Sequence, residues 1–218
     1  MTITLTRHGE TDANAAGLVQ GRGLDPDLND AGRAQAEAIA RRLAGVRLDA
    51  VYTSTQRRSQ QTAEPVLADH PGAALVVRAG LDEMDWGVHE GRGFEADSAD
   101  TEMRASYVAL NEAWGRGEAD VRVPGGESPR EVWDRVRPVL VEIAEAYPDG
   151  HVLVVSHRRL LRVLLAGALP GGGLERMHAY PHGNAALTTL DVPVGALSPG
   201  GPPVRVVTLA DTSHLAPA

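Results

Sequence analysis

Apolar positions along the chain fall into short runs and helical stripes separated by polar segments, and these predict a regular succession of strands and helices. A short strand around Ile3 and Leu5 stops at Arg7-His8-Gly9. Residues 29–43 then place Ala36, Ile39, Ala40 and Leu43 on one helical face, with Asn29 or Asp30 as the cap and Gly45 as the stop. A second strand is predicted at 49–53, running into the polar segment Ser54-Thr55-Gln56-Arg57-Arg58. A helix through Thr62 and Leu67 follows, then a strand at 75–77. Residues 80–126 are polar and irregular, with one short helix predicted at about 105–114.

Ser128-Pro129-Arg130-Glu131 is the clearest helix start: Ser128 and Glu131 have capping-box spacing, and Pro129 stands at the first helical position. Val132, Val136, Val139, Leu140 and Ile143 continue its apolar stripe, and Pro138 predicts a kink. The unbroken apolar run 152–155 is the pattern of a strand covered on both faces, and it ends at Ser156-His157. A helix at 160–169 and two strands at 186–192 and 204–209, joined by the Pro/Gly-rich loop 193–203, complete the chain.

Strands alternating with helices imply an α/β fold, a three-layer sandwich with a mostly parallel central sheet flanked by helices. In such sheets ligands bind beyond the carboxyl ends of the strands. Arg7-His8, residues 54–58 and Ser156-His157 all stand at predicted strand ends. With 218 residues the chain is read as one domain, 1–218. Only 4% of residues are aromatic, so the core must be built from Ala, Val and Leu.

The net charge of −8 argues against a nucleic-acid partner or an anionic membrane surface, while leaving room for a local cationic pocket. The absence of cysteine removes disulfides and thiol catalysis. The first residues read directly into a strand, with no basic leader or long apolar stretch, so a cytoplasmic address is expected.

Two histidines that each end an apolar strand, with arginines beside them, suit phosphoryl transfer. That chemistry needs a nucleophile, positive charge around the phosphoryl oxygens and a proton for the departing alcohol. Neutral imidazole is a competent nucleophile, arginine offers a permanently charged fork, and a carboxyl group can serve as general acid. No metal or cofactor is required where arginines supply the charge, and the histidines lack ligand spacing such as HExxH.

Leu5-Thr6-Arg7-His8-Gly9-Glu10-Thr11, followed by Asn14 and Gly21, resembles the signature of the histidine phosphatase superfamily, which includes the cofactor-dependent phosphoglycerate mutases. Residues 27–36, 54–64, the Leu81-Asp82-Glu83 segment, Gly125-Gly126-Glu127-Ser128, Val154-Val155-Ser156-His157, Asn184 and the terminal Ser213-His214-Leu215 extend that resemblance in order along nearly the whole chain. It implies a phosphoglycerate mutase-like fold and a phosphohistidine intermediate at His8. Arg7, Arg58 and His157, with Asn14 and Gly21, would bind the phosphate, and Glu83 would donate the proton, although Asp82 and Asp85 are neighbouring carboxylates. A small phosphorylated metabolite is the implied substrate, and a homodimer the implied assembly.

One departure stands out. The family generally has glycine after the second histidine, whereas Arg158 and Arg159 stand here. A side chain there limits close backbone approach to the phosphate. The extra guanidinium either binds a second anionic group of the substrate, which makes Arg158 a candidate contact, or points to solvent from the first helical turn. Two rival functions are a mutase and a non-catalytic module that binds a phosphate ligand. Hydrolysis is favoured because Glu83-Met84-Asp85-Trp86-Gly87 departs from the Glu-Arg-His-Tyr-Gly segment of the mutases, and the stretch up to Gly125 is modest.

Overall fold

A computed structural model describes residues 1–94, 99–198 and 200–216. Residues 95–98 of the irregular segment, Pro199 of the Pro/Gly loop and the terminal 217–218 lie outside the described residues. Six strands form one sheet: β1 (Thr2–Arg7), β2 (Ala50–Thr53), β3 (Ala74–Val77), β4 (His151–Ser156), β5 (Leu187–Asp191) and β6 (Arg205–Asp211). Their spatial order is β3-β2-β4-β1-β5-β6. The first four are mutually parallel, whereas β5 runs antiparallel to β1 and β6 antiparallel to β5. Strands β5 and β6 are joined without an intervening helix, so they pair as antiparallel neighbours, whereas parallel neighbours need a long crossover.

The helices are α1 (Asp12–Ala15), α2 (Asp30–Leu43), α3 (Arg57–Asp69), α4 (Thr101–Gly115), α5 (Pro129–Ala146) and α6 (Arg158–Ala168). They cover both faces of the sheet, and β4 shows why its apolar run is unbroken. Val152 and Val154 pack in one core with Val136 and Leu140 of α5 and Leu164 of α6. Leu153 and Val155 pack in a second core with Ile39 and Leu43 of α2 and Val66 of α3. Among the described residues no helix is long and apolar enough to cross a membrane.

Local signals placed most of these elements. Asn29, rather than Asp30, caps α2 by accepting the Gly32 N–H at 2.8 Å. The α5 capping box forms in both directions, with Ser128 Oγ accepting from the Glu131 amide and Glu131 Oε2 from the Ser128 amide. Helix α5 continues through Pro138 without ending there.

Two elements differ from expectation. Helix α1 was not predicted; it is one turn held by Thr11 and Asn14, too short to show a period. Helix α4 starts at Thr101, ahead of the predicted 105, and buries only Met103, Leu110, Ala113 and Trp114. That sparse stripe is a weak periodic signal.

Candidate active site

His8 and His157 meet because β1 and β4 are neighbours in register. Arg7 is level with Ser156, the His8 amide donates to the Ser156 carbonyl at 3.0 Å, and the two imidazole centroids lie 5.2 Å apart. Gly9 lets the turn after β1 pass close to the start of α2. A Cβ at Gly9 would sit 2.4 Å from the Gly32 carbonyl oxygen, so a side chain there would drive the two segments apart.

His8 Nδ1 lies 2.7 Å from the Gly9 carbonyl oxygen. A carbonyl can only accept, so Nδ1 carries the proton and Nε2 keeps a free lone pair. The ring is 2% exposed, and its pKa is held well below the usual histidine value by burial first, then by the Arg58 and Arg7 charges. His157 is fully buried and is shifted the same way by burial, Arg58, His8 and Arg7. Its Nε2 lies 2.8 Å from Ser54 Oγ, which already accepts the Gln56 N–H at 3.2 Å. Among the described residues no other acceptor bonds the Ser54 hydroxyl, so its proton is placed on Nε2 and that of His157 on Nδ1, which has no partner.

Three groups bring Arg58 and Glu83 to the same edge of the sheet. Arg58, fully buried at the start of α3, donates from Nη1 to the Leu24 carbonyl and Asp25 Oδ1, and from Nη2 to the Gly21 carbonyl at 3.1 Å. Gln56 donates from Nε2 to that same Gly21 oxygen and accepts the Glu83 amide on Oε1 at 2.8 Å. The Glu83 carboxyl reaches the first turn of α6, where Oε2 accepts the Arg159 N–H at 3.2 Å and Oε1 the Leu160 N–H at 3.1 Å. Oε1 also accepts the Met84 N–H at 2.8 Å. These donors occupy the α6 N-terminus with a carboxyl group of the protein itself.

The histidine edge opens into a cavity of about 130 Å³, with Arg7, His8, Asn14, Glu83 and Arg158 in its wall. Among the described residues Glu83 is the one carboxyl group in that wall. Asp82 is instead engaged by the Thr55 amide and hydroxyl, both at 2.8 Å, and Asp85 accepts the Gly87 N–H. Arg58 and His157 lie buried behind His8 rather than in the cavity wall. Asn14 lines the cavity, its Oδ1 accepting from Thr11 N–H and from Asn184 Nδ2, which also donates to the His8 carbonyl.

The cavity bears on two of the sequence readings. Gly21, assigned to the phosphate by resemblance, does not line the cavity; its carbonyl holds Arg58 and Gln56 in place. A Cβ at Gly21 would fall 1.6 Å from Glu90 Oε1, which is why the position suits glycine. The solvent-pointing alternative for Arg158 and Arg159 also fails, since both line the cavity. Arg159 is 4% exposed, donates to the Tyr107 hydroxyl and Asn111 Oδ1, and lies over the Trp86 and Trp114 rings at 5.2 and 5.0 Å.

The sequence reading did not assign Leu18, Val19, Gln20, Trp86, Phe94 and Tyr107 to the wall. A signal existed for the aromatic part. The chain has only three Trp, four Tyr and one Phe, and four of these eight fall within the irregular segment 80–126.

Burying neutral histidines makes the fold sensitive to acid. His182, 2% exposed, has its pKa lowered to about 4 by burial, then by the Arg162 and Arg7 charges. Between its folded value and the unfolded value near 6.5, the unfolded chain binds more protons, so stability is full above that range and declines as pH falls through it. His182 alone should withdraw about 3 kcal/mol on descending from pH 6.5 to 4, with His8 and His157 acting in the same direction. Thermal melts should show Tm falling steadily below pH 6.5. A flat Tm from pH 7 to 5 would contradict the neutral assignment.

Comparison with known proteins identifies the family. Residues 3–197 match the model of the histidine phosphatase superfamily, branch 1. Phosphoserine phosphatase 1 of Hydrogenobacter thermophilus is 30% identical over 86% of this chain and 85% of its own. The 2,3-bisphosphoglycerate-dependent phosphoglycerate mutase of Brucella ovis is 33% identical over 75% of this chain and 79% of its own. Among solved structures, a mycobacterial glucosyl-3-phosphoglycerate phosphatase in complex with VO3 superposes with a TM-score of 0.80. It is 26% identical, over 97% of this chain and 99% of that one.

Proposed function

This chain belongs to the histidine phosphatase superfamily, and on that premise we propose that it hydrolyses phosphomonoesters of small metabolites through a phosphohistidine formed at His8. The observation that carries this reading is the His8 ring itself. Its Nδ1–H is fixed on the Gly9 carbonyl, its pKa is held low, and Nε2 is thereby kept as a lone pair beside a cationic cavity.

In the first step Nε2 attacks phosphorus, the P–O ester bond breaks, and the departing oxygen takes a proton from Glu83. In the second, water attacks the phosphohistidine, the P–N bond breaks, and Glu83 accepts the proton released. Arg7, with Arg58 and the His157 Nδ1–H behind it, supplies the positive charge for the phosphoryl oxygens in the transition state. Orientation costs little at the moment of reaction because Arg58 and His157 are already held by Gly21, Leu24, Asp25 and Ser54.

A labelled p-nitrophenyl phosphate, quenched without acid after prolonged treatment with EDTA, tests both the intermediate and its independence of metal. Label should appear as an acid-labile, base-stable phosphoramidate on His8, at an unchanged rate. Label on serine, threonine or aspartate would sink the mechanism, and loss of activity restored by one divalent ion would overturn the arginine-only account of the charge.

The mutase relatives support a second reading, transfer of the phosphoryl group to a different hydroxyl. Assaying phosphate release against 3-phosphoglycerate isomerisation, with and without 2,3-bisphosphoglycerate, separates the two. The Met84-Asp85-Trp86 sequence after Glu83 supports hydrolysis. A non-catalytic binding module would show no turnover of p-nitrophenyl phosphate.

A further inference from the structure

Beside the groups assigned to phosphoryl transfer, the cavity wall holds three whose hydrogen-bonding capacity is not filled among the described residues. Gln20 is 7% exposed, yet neither its Oε1 nor its Nε2 has a hydrogen-bond partner. Arg159 is held by Tyr107, Asn111 and two indole rings, but its buried Nη1 is unpaired. Arg158 makes no hydrogen bond or ion pair among the described residues. Buried polar groups are nearly always satisfied, so a cluster of unsatisfied ones lining a single cavity points to a ligand.

Charge points the same way. Among the described residues the cavity wall sets Arg7, Arg158 and Arg159 against one carboxyl group, Glu83, whose oxygens are already bonded to backbone amides. Burial and like charge both act on these arginines. Arg7 is lowered to about 9 by burial and then by the Arg158 charge, and Arg162, just beyond on α6, to about 10 by burial and then by Arg158 and Arg159. One phosphoryl dianion beside His8 answers Arg7, Arg58 and His157. It leaves Arg158 and the free Arg159 Nη1 uncompensated.

Resting on the phosphohistidine reading, we propose that Arg158, Arg159 and Gln20 form a second anion subsite on the leaving-group side of the cavity, so that the preferred substrates are phosphomonoesters whose alcohol carries a carboxylate or a second phosphate. Glu83 marks that side on the same reading: it is assigned the proton for the departing oxygen, and its carboxyl is bonded to the amides of Arg159 and Leu160. The planar forks suit a carboxylate or a phosphate alike. Gln20 adds a neutral donor and acceptor for a hydroxyl or amine on the same carbon skeleton. Arg159 is the rigid member, clamped between Trp86 and Trp114, and Arg158 is the adaptable one, half-buried and unclamped.

Binding to the His8→Ala protein tests this without turnover. Calorimetry would compare three esters of the same three-carbon chain: 3-hydroxypropyl phosphate, 3-phosphonooxypropanoate and propane-1,3-diyl bisphosphate. The two doubly anionic esters, or one of them, should bind about 10- to 100-fold more tightly than the hydroxyl ester, as a charge-assisted pair provides. The stronger of the two identifies carboxylate or phosphate as the natural group. Arg158→Met should shrink the gap to less than about threefold while leaving the hydroxyl ester nearly unchanged, and Arg158→Lys should restore part of it.

Three esters binding within threefold of one another, or an equal loss for all three in Arg158→Met, would overturn the subsite. If His8→Ala does not fold, His8→Asn, which can still donate to the Gly9 carbonyl, replaces it. Turnover of p-nitrophenyl phosphate by the unaltered protein is measured alongside. Its absence would refute the hydrolase reading, while a retained binding gap would still establish the subsite.

Discussion

Replacing His8 with alanine should remove turnover of any phosphomonoester, with a loss in kcat/KM on the order of 10⁴- to 10⁶-fold, the scale seen when a covalent nucleophile is deleted. The loss should fall on kcat, because Arg7, Arg58 and His157 would still hold the phosphate. His8 is 2% exposed and donates to the Gly9 carbonyl, so the substitution also leaves a carbonyl unpaired and a small void. The fold should be weakened by about 1–3 kcal/mol, a shift of several degrees in Tm for a chain of this size. Activity within about 100-fold of the unaltered protein, in a sample whose melting curve shows it folded, would exclude His8 as the nucleophile.

Glu83→Gln carries the second-largest expectation, and its signature is selectivity between leaving groups. A general acid typically contributes ~10²–10⁴-fold when the departing alkoxide is poor. The first step should therefore slow by that amount for an alkyl phosphate and far less for p-nitrophenyl phosphate, whose phenolate departs without a proton. The geometry adds a complication. Both Glu83 oxygens accept backbone N–H groups, and a glutamine must point an NH₂ at one of them. That clash would disturb α6 and slow both substrates alike, so only the difference between substrates, measured in the pre-steady-state burst, reports on proton transfer. Asp82→Asn and Asp85→Asn are the controls for neighbouring carboxylates. An equal loss for both substrates, or a selective loss in either control, would mean that another group is the acid.

Much of the architecture was legible because its signals are local. The Asn29 and Ser128 caps, the apolar run of β4 and the strands ending at Arg7-His8 and Ser156-His157 depend on neighbours a few residues away, and the structure reproduces them. Where local signals are weak the reading failed. Helix α1 has four residues, too few for periodicity, and α4 buries only four side chains in fifteen residues. The choice among Asp82, Glu83 and Asp85 could not be made from adjacency. Which of them lines the cavity was decided by Thr55, which holds Asp82, and by the first turn of α6, which holds Glu83, both from other segments.

By itself, then, the sequence determined which residue types stand at the carboxyl ends of the central strands, and therefore which chemistry is available, because a buried strand must be apolar until it leaves the sheet. The tertiary structure alone decided what each of those residues faces. The Gly21 carbonyl seats Arg58 and Gln56, and both bonds, like the close approach of Glu90, arise only when distant loops meet. Arg159 is held at the cavity by Trp86, Tyr107, Asn111 and Trp114, contributed from 45 or more residues upstream. A guanidinium in a first helical turn has no intrinsic preference between solvent and pocket; the direction is set by partners that no window along the chain contains.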